Sequence, residues 1–276
     1  MSEAETPIPR SDLQTRFTMG VVMVVAALAS LYIGGWPFRL LVLAAAAVML
    51  AEWADMHRVP RAYALAGTVL LAVNLLGVSE YLFPAGEMDE ALSSATFAPA
   101  WTGFAATLVC AGILSLISRR LTMVGGYLYI ALPSFALLLL EWAWLAFVLW
   151  SMVVTWATDI FAYAAGRTFG GPKLARRISP NKTWSGLIGG VAGAAICGAI
   201  VALWFDLGFP FVQAGAAMAI LAQAGDLYES WLKRRAGVKD SGTILPGHGG
   251  ALDRLDGYLP VVIATLFILM SGIWPA

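Results

Sequence analysis

Ser185 to Phe205 reads S-G-L-I-G-G-V-A-G-A-A-I-C-G-A-I-V-A-L-W-F, 21 residues without a charge. As a helix rising about 1.5 Å per residue it would span roughly 30 Å, the thickness of a bilayer's hydrocarbon core. Similar runs recur from Phe17 to the C-terminus of the 276-residue chain. They can be cut into nine candidate spans at about 17–35, 37–55, 62–83, 100–118, 123–141, 142–166, 185–205, 209–232 and 257–275. Each run is continuous. Barrel strands would alternate over about ten residues, so only helices, which satisfy their own backbone groups, fit. Composition agrees: 60% of residues are hydrophobic and 12% charged, against about 25% charged in soluble domains, and mean hydropathy is +0.78. The expected fold is an all-α polytopic integral membrane protein.

Basic residues orient it. With the N-terminus cytoplasmic, the inner segments hold Arg10, Arg16, Arg58, Arg61, Arg119, Arg120, Arg167, Lys173, Arg176, Arg177, Lys182, Lys233, Arg234, Arg235, Lys239 and Arg254. That is 16 of the 17 Lys and Arg residues, leaving only Arg39 outside. The outer stretch Pro84 to Pro99 carries Glu87, Asp89 and Glu90 and no base. An excess of inner bases fixes orientation, so nine helices with the C-terminus outside are expected. The domain reading follows: a short cytosolic tail at 1–16, N-terminal transmembrane helices at 17–122, and a region at 123–276 that carries the chemistry on cytoplasmic loops 167–184 and 233–256. The apolar run after the tail is too long for a cleaved signal. The formal net charge is zero, and no cluster of bases with interleaved aromatics points to nucleic acid. Cys110 and Cys197 lie in apolar runs without metal-type spacing and read as small hydrophobes.

The second loop holds most of the polar chemistry. The eighth span ends A-Q-A-G-D-L-Y-E-S-W-L-K-R-R, with Asp226 and Glu229 one turn apart. A carboxylate below the membrane surface is costly unless paired or metal-bound, which marks Asp226 as a functional candidate; pairing with Lys233 is the plainer alternative. Leu245 to Gly257, L-P-G-H-G-G-A-L-D-R-L-D-G, adds Asp253 and Asp256 three residues apart. Asp226, Asp253 and Asp256 together would make a hard-oxygen site suited to Mg²⁺ with substrate phosphates, and a second cation, monovalent or divalent, could join it. His248 alone makes no zinc site, and hydrogen bonding to the nearby carboxylates is its simpler reading. Gly249 and Gly250 let backbone N–H groups approach a ligand as phosphate-cradling loops do. With Lys233, Arg234, Lys239 and Arg254 the loop reads as a phosphate-and-metal site, although such bases also anchor proteins on anionic headgroups.

The first loop echoes it. Asp159 sits in an apolar run, and Ser179, Pro180, Asn181, Lys182 and Thr183 form a polar turn before the seventh span. A helix N-terminus attracts anions, so Ser179, Asn181 and Lys182 are candidate phosphate contacts; an ordinary N-cap and turn is the alternative. The glycines of that span, among them Gly186, Gly189, Gly190, Gly193 and Gly198, allow another helix close, within the chain or across a dimer.

The run S-W-L-K-R-R-A-G-V-K-D-S-G-T-I-L-P-G-H-G-G-A-L-D-R-L-D, Ser230 to Asp256, resembles the C-terminal motif of the bacterial phosphatidate cytidylyltransferases, also called CDP-diacylglycerol synthases. D-I-F-A-Y-x-x-G-R-x-F-G-G through S-P-N-K-T-W-S-G resembles that family's other block, and Glu52-Trp53 is similar to a weaker N-terminal feature. Ala251 stands where the family has a larger apolar residue, and Ile160 and Phe161 replace small ones after Asp159, which alters packing there. The resemblance implies a bacterial inner-membrane enzyme, suggestive of a homodimer, that converts CTP and phosphatidic acid to CDP-diacylglycerol and pyrophosphate with Mg²⁺. It favours Asp226 and Asp253 as metal ligands, with Asp256 third or supporting. Lys233, Arg234, Lys239 and Arg254 would neutralise triphosphate or lipid phosphate. Another CTP-using lipid enzyme is the nearest alternative, although the D-G-x-x-A-R block of CDP-alcohol transferases is absent. An ion-coupled transporter would put its carboxylates near the bilayer midplane, whereas these lie toward cytoplasmic helix ends.

Overall fold

The computed structural model describes residues 10–78, 98–244 and 249–271, and within them the apolar stretches are helical. In chain order they are α1 (Arg10–Ile33), α2 (Gly35–Met56), α3 (Arg61–Ala72), continued by a π-helical turn at Val73–Val78, and α4 (Ala98–Ser118). Then follow α5 (Leu121–Ala143), α6 (Leu145–Phe169), α7 (Trp184–Trp204), α8 (Phe209–Ala236), a short α9 (Leu252–Leu255) and α10 (Tyr258–Met270). Five segments, Gly35–Met56, Trp101–Ser118, Leu121–Ala143, Leu145–Phe169 and Trp184–Trp204, are long and apolar enough to cross a membrane. Thr18–Ile33, Arg61–Gly77 and Tyr258–Met270 are shorter apolar helices. The 28-residue α8 is long enough but not apolar enough, because its last turns carry Asp226, Glu229, Lys233, Arg234 and Arg235. Large apolar side chains such as Leu116, Leu121, Ile188 and Leu203 stay exposed on the outer surface, as expected for helices whose solvent is lipid. The chain is a multi-pass membrane protein.

The boundaries have local causes. Gly34 and Gly35, at φ +66° and +56°, break α1 from α2, and the Gly35 N–H donates to Glu141 Oε1 at 3.0 Å. Gly237 ends α8 in the left-handed region, its N–H and that of Val238 donating to the Arg234 and Lys233 carbonyls, the usual glycine termination of a helix. Trp150, Tyr127, Phe135 and Phe147 are fully buried between the helices.

Two expectations need correction. The segment expected as a polar turn is a two-stranded antiparallel hairpin, β1 (Lys173–Ala175) and β2 (Ser179–Thr183), with Lys173 opposite Thr183 and Ala175 opposite Ser179. Pro180 disfavours helical backbone at Ser179, and the ladder satisfies groups that a plain turn leaves to water. The second loop is also shorter than 233–256, because α8 runs on to Ala236 and α9 starts at Leu252.

The glycines of α7 find their partner inside the chain. A Cβ on Gly189 would stand 2.9 Å from the Phe161 carbonyl, and one on Gly190 2.9 Å from that of Thr158. Helix α6 thus packs backbone to backbone on α7, and Phe161, the bulky departure after Asp159, lies against Gly193. On the other face of α7, Gly215 of α8 lies against the Ala194 carbonyl.

Candidate functional site

Four polar segments converge at one end of the helices: the C-terminal turns of α6 and of α8, the hairpin, and the stretch through α9. The hairpin supplies Lys182, whose Nζ lies 2.5 Å from Asp226 Oδ2 and donates to Gln223 Oε1 at 2.8 Å. Ser230 donates to the other Asp226 oxygen at 3.3 Å. The carboxylate therefore sits between the hairpin and its own helix, joining the two loops that carry the motifs.

One α-helical turn along α8 is a second charge cluster. Lys233 Nζ lies 2.5 Å from Glu229 Oε2 and 2.6 Å from Asp253 Oδ1. Glu229 is fully buried, and Lys233 stands between the two carboxyl groups. Asp253 also accepts from the backbone: Ser241 N–H at 3.0 Å and Gly250 N–H at 2.8 Å, both to Oδ2. Burial by itself would raise the Asp253 carboxyl, but Lys233 and these amides hold it below the usual carboxylate range. Gly249 is at φ +82°, and a Cβ there would stand 2.8 Å from Asp253 Oδ2, so both backbone and space require glycine.

Asp256 behaves oppositely. Burial first, and then the charge of Asp226, push it up to about 7, while the Gly257 N–H donates to its Oδ1 at 2.7 Å. It lines a cavity of about 570 Å³ with Asp159, Asp226, Lys233, Asp253 and Arg254. A second cavity of about 590 Å³, under the hairpin, is lined by Asp159, Arg167, Lys173, Asn181, Lys182 and Asp226. Asp159 and Asp226 border both, so the two spaces meet at these carboxylates. The first cavity also shares Met23, Ala27, Met152, Leu255 and Tyr258 with an apolar cavity of about 310 Å³ between α1, α2, α5, α6 and α10.

The structure brings together Asp159, Asn181, Lys182, Asp226, Lys233, Asp253, Arg254 and Asp256 of the residues singled out in the sequence. Gly249 and Gly250 border the group through Asp253. Ser179 lies at the far end of the hairpin, and Arg234 donates to the Val238 carbonyl at 3.5 Å instead of facing either cavity. Lys239 is exposed in the loop after α8. His248 lies outside the described residues. Thr183 is the N-cap of α7, its hydroxyl accepting from Gly186 N–H at 3.1 Å. Among the described residues no three His, Cys, Asp or Glu groups stand at metal-ligand spacing. Asp226, Asp253 and Asp256 share a cavity but are each held by amides, a hydroxyl or a lysine.

Two buried acids escaped the sequence reading as site residues. Glu229 was visible one turn beyond Asp226. Glu52, near the end of α2, accepts from Ala251 N–H and Leu252 N–H at 2.9 Å each and from Ser241 Oγ at 3.2 Å. The cost of a carboxylate in an apolar span, applied to Asp159 and Asp226, points equally to Glu52.

Residues 14–271 match the cytidylyltransferase family. A protein of Brucella abortus (biovar 1, strain 9-941) named phosphatidate cytidylyltransferase is 36% identical over 277 aligned residues, covering 96% of this chain and 95% of that one. A protein of the same name from Bacillus subtilis (strain 168) is 33% identical over 269 residues, covering 94% and 98%. A third, from Rickettsia bellii (strain RML369-C), is 38% identical over 130 residues.

Proposed function

Because this chain belongs to the cytidylyltransferase family, we propose that it joins CTP to phosphatidate at a membrane surface, giving CDP-diacylglycerol and pyrophosphate. The observation that carries this reading is the junction of cavities: a space bordered by four aspartates, Lys233 and Arg254 runs into one bordered by apolar side chains. A lipid phosphate and a nucleotide triphosphate have to meet where water gives way to hydrocarbon, and this junction has both surfaces.

In the reaction a phosphomonoester oxygen of phosphatidate attacks the α-phosphorus of CTP. The bond from that phosphorus to the oxygen bridging to the β-phosphate breaks, and pyrophosphate leaves with the electron pair. The attacking dianion is already nucleophilic, so positioning and charge neutralisation carry the catalysis. Lys182 and Arg254 border the cavities as cations for the two anions, and Asn181 offers an amide beside Lys182. Lys233 is engaged by Glu229 and Asp253 and keeps the latter aimed. Gly249 and Gly250 allow backbone approach, while Ser179, Arg234 and Lys239 stand farther out and are proposed as contacts for the outer phosphates.

Asp226, Asp253 and Asp256 are proposed to hold Mg²⁺, with room for a second cation. The donor chemistry fits: hard oxygens border one cavity, and the Asp226 charge that raises Asp256 is a repulsion that a cation relieves. Bound there, Mg²⁺ supplies neutralisation of the charge that develops on pyrophosphate. Nine spans with the N-terminus inside put this site on the cytoplasmic side of a bacterial inner membrane, in keeping with the basic residues around it. The small residues of α7 are used within the chain, so a homodimer would form through another face.

The test uses the purified protein in vesicles with phosphatidate, CTP and Mg²⁺. Pyrophosphate and CDP-lipid should appear in equal amounts, and neither when diacylglycerol replaces phosphatidate or ATP replaces CTP. Pyrophosphate release without a CDP-lipid would overturn the reading.

A further inference from the structure

Glu52 is separated from the second loop by 189 to 200 residues, yet among the described residues its carboxylate accepts from Ser241, Ala251 and Leu252 of that loop. The side chain is 2% exposed. Its two oxygens divide the work: Oε1 accepts from Ala251 N–H, and Oε2 accepts from Leu252 N–H and Ser241 Oγ. Two glycines exist in space that this carboxylate fills, since a Cβ on Gly242 would stand 2.6 Å from Oε1 and one on Gly250 2.6 Å from Oε2. Glu52 thus grips the chain on both sides of residues 245–248. The same two strands of chain present the Ser241 and Gly250 amides to Asp253.

We propose that Glu52 is a positioning residue for the transfer reaction: by fixing Ser241 and the Ala251–Leu252 amides it sets the orientation of Asp253 and, through it, of Lys233. This proposal rests on the cytidylyltransferase reading above. The grip depends on an acceptor-only group. In Glu52→Gln one oxygen becomes an NH₂ donor that must face either the Ala251 or the Leu252 N–H, and two donors cannot share that space. The chain on that side moves away, and the Asp253 carboxylate moves with it. Misplacement by about an ångström lowers a positioned reaction about 100-fold.

The experiment compares full-length wild type, Glu52→Gln, Gly242→Ala and the double variant in vesicles, reading kcat, the KM for CTP, and the rate of tryptic cleavage at Lys239 without substrates. Glu52→Gln should lower kcat about 100-fold with KM for CTP within about threefold, and should accelerate cleavage at Lys239. Gly242→Ala, which leaves Glu52 in place and wedges the chain off it, should give the same two effects. The double variant should be no worse than either single one, because both break one contact. If Glu52→Gln does not accumulate, Gly242→Ala carries the test with the same readouts. A kcat within about threefold of wild type with unchanged cleavage overturns the proposal, as do additive losses in the double variant. A wild-type protein that forms no CDP-lipid sinks the reaction assignment instead, leaving the cleavage rates to report on the grip.

Discussion

The two motif-bearing loops, which form the two ends of one site, are held in place by different means. Around Asp159 and Lys182 the backbone does it: α6 lies on the glycines of α7 close enough for carbonyls to meet α-carbons, and a short ladder carries β2 to the helix start. Around Asp253 side chains do it. Asp253 gathers the Ser241 and Gly250 amides and Lys233, while Glu52 gathers the Ala251 and Leu252 amides. A backbone contact spread along a helix pair is broken by adding a carbon. A carboxylate that collects amides is broken by exchanging one oxygen for nitrogen, with no change in shape.

The largest effect should therefore come from Asp253→Asn. The new amide has to turn its nitrogen toward Lys233 or toward the Gly250 N–H, so an amide-collecting acceptor becomes a partial donor. Turnover in vesicles with CTP and phosphatidate should fall about 1,000-fold, on the order of 4 kcal/mol in the barrier. Unfolding temperature should move much less, because Glu229 still pairs Lys233. A variant that keeps a tenth of wild-type turnover would remove the distinction between the two ends.

Gly189→Ala tests the other end. Its Cβ would press on Ala165 and on the Phe161 carbonyl, and backbone cannot step aside as a side chain can. Overpacking of this kind lowers stability by about 1 to 3 kcal/mol, which thermal unfolding in detergent reads directly. Here the order of effects should reverse, with stability falling clearly and kcat of the surviving folded protein falling less than in Asp253→Asn. Unchanged stability would mean that α6 and α7 are not held by this contact.

The two ends also differed in how far the sequence revealed them. Continuous apolar runs disclosed the long helices of the described residues, because a lipid-facing helix is apolar over most of its length. Asp226, Asp253 and Asp256 stood out because a charge near hydrocarbon is costly. The hairpin did not show: Lys173 to Thr183 is polar, and its strands carry no alternation, since neither face covers a core. The partner of the α7 glycines was equally silent, because small residues announce a close approach without saying to what. Glu52 shows the remaining limit. Its cost in an apolar span was visible, but its bonds to Ser241, Ala251 and Leu252 exist only once α2 is packed beside the end of the chain.

The smallest expected effects separate two hydroxyls of the hairpin that looked alike in the sequence. Thr183 caps α7, accepting from Gly186 N–H, and it is buried. Thr183→Ala leaves that amide without a partner beside the helix that carries the glycine contact, and should lower stability by about 1 kcal/mol. Ser179 faces Ala175 across the ladder, where its contribution is backbone that alanine also supplies, so Ser179→Ala should stay within about 0.5 kcal/mol of wild type. Thermal unfolding of the two variants in one detergent measures the difference. Equal shifts would mean that the ladder, rather than the cap, holds the start of α7, and the backbone-held end would then owe its geometry to the hairpin as much as to the helix pair.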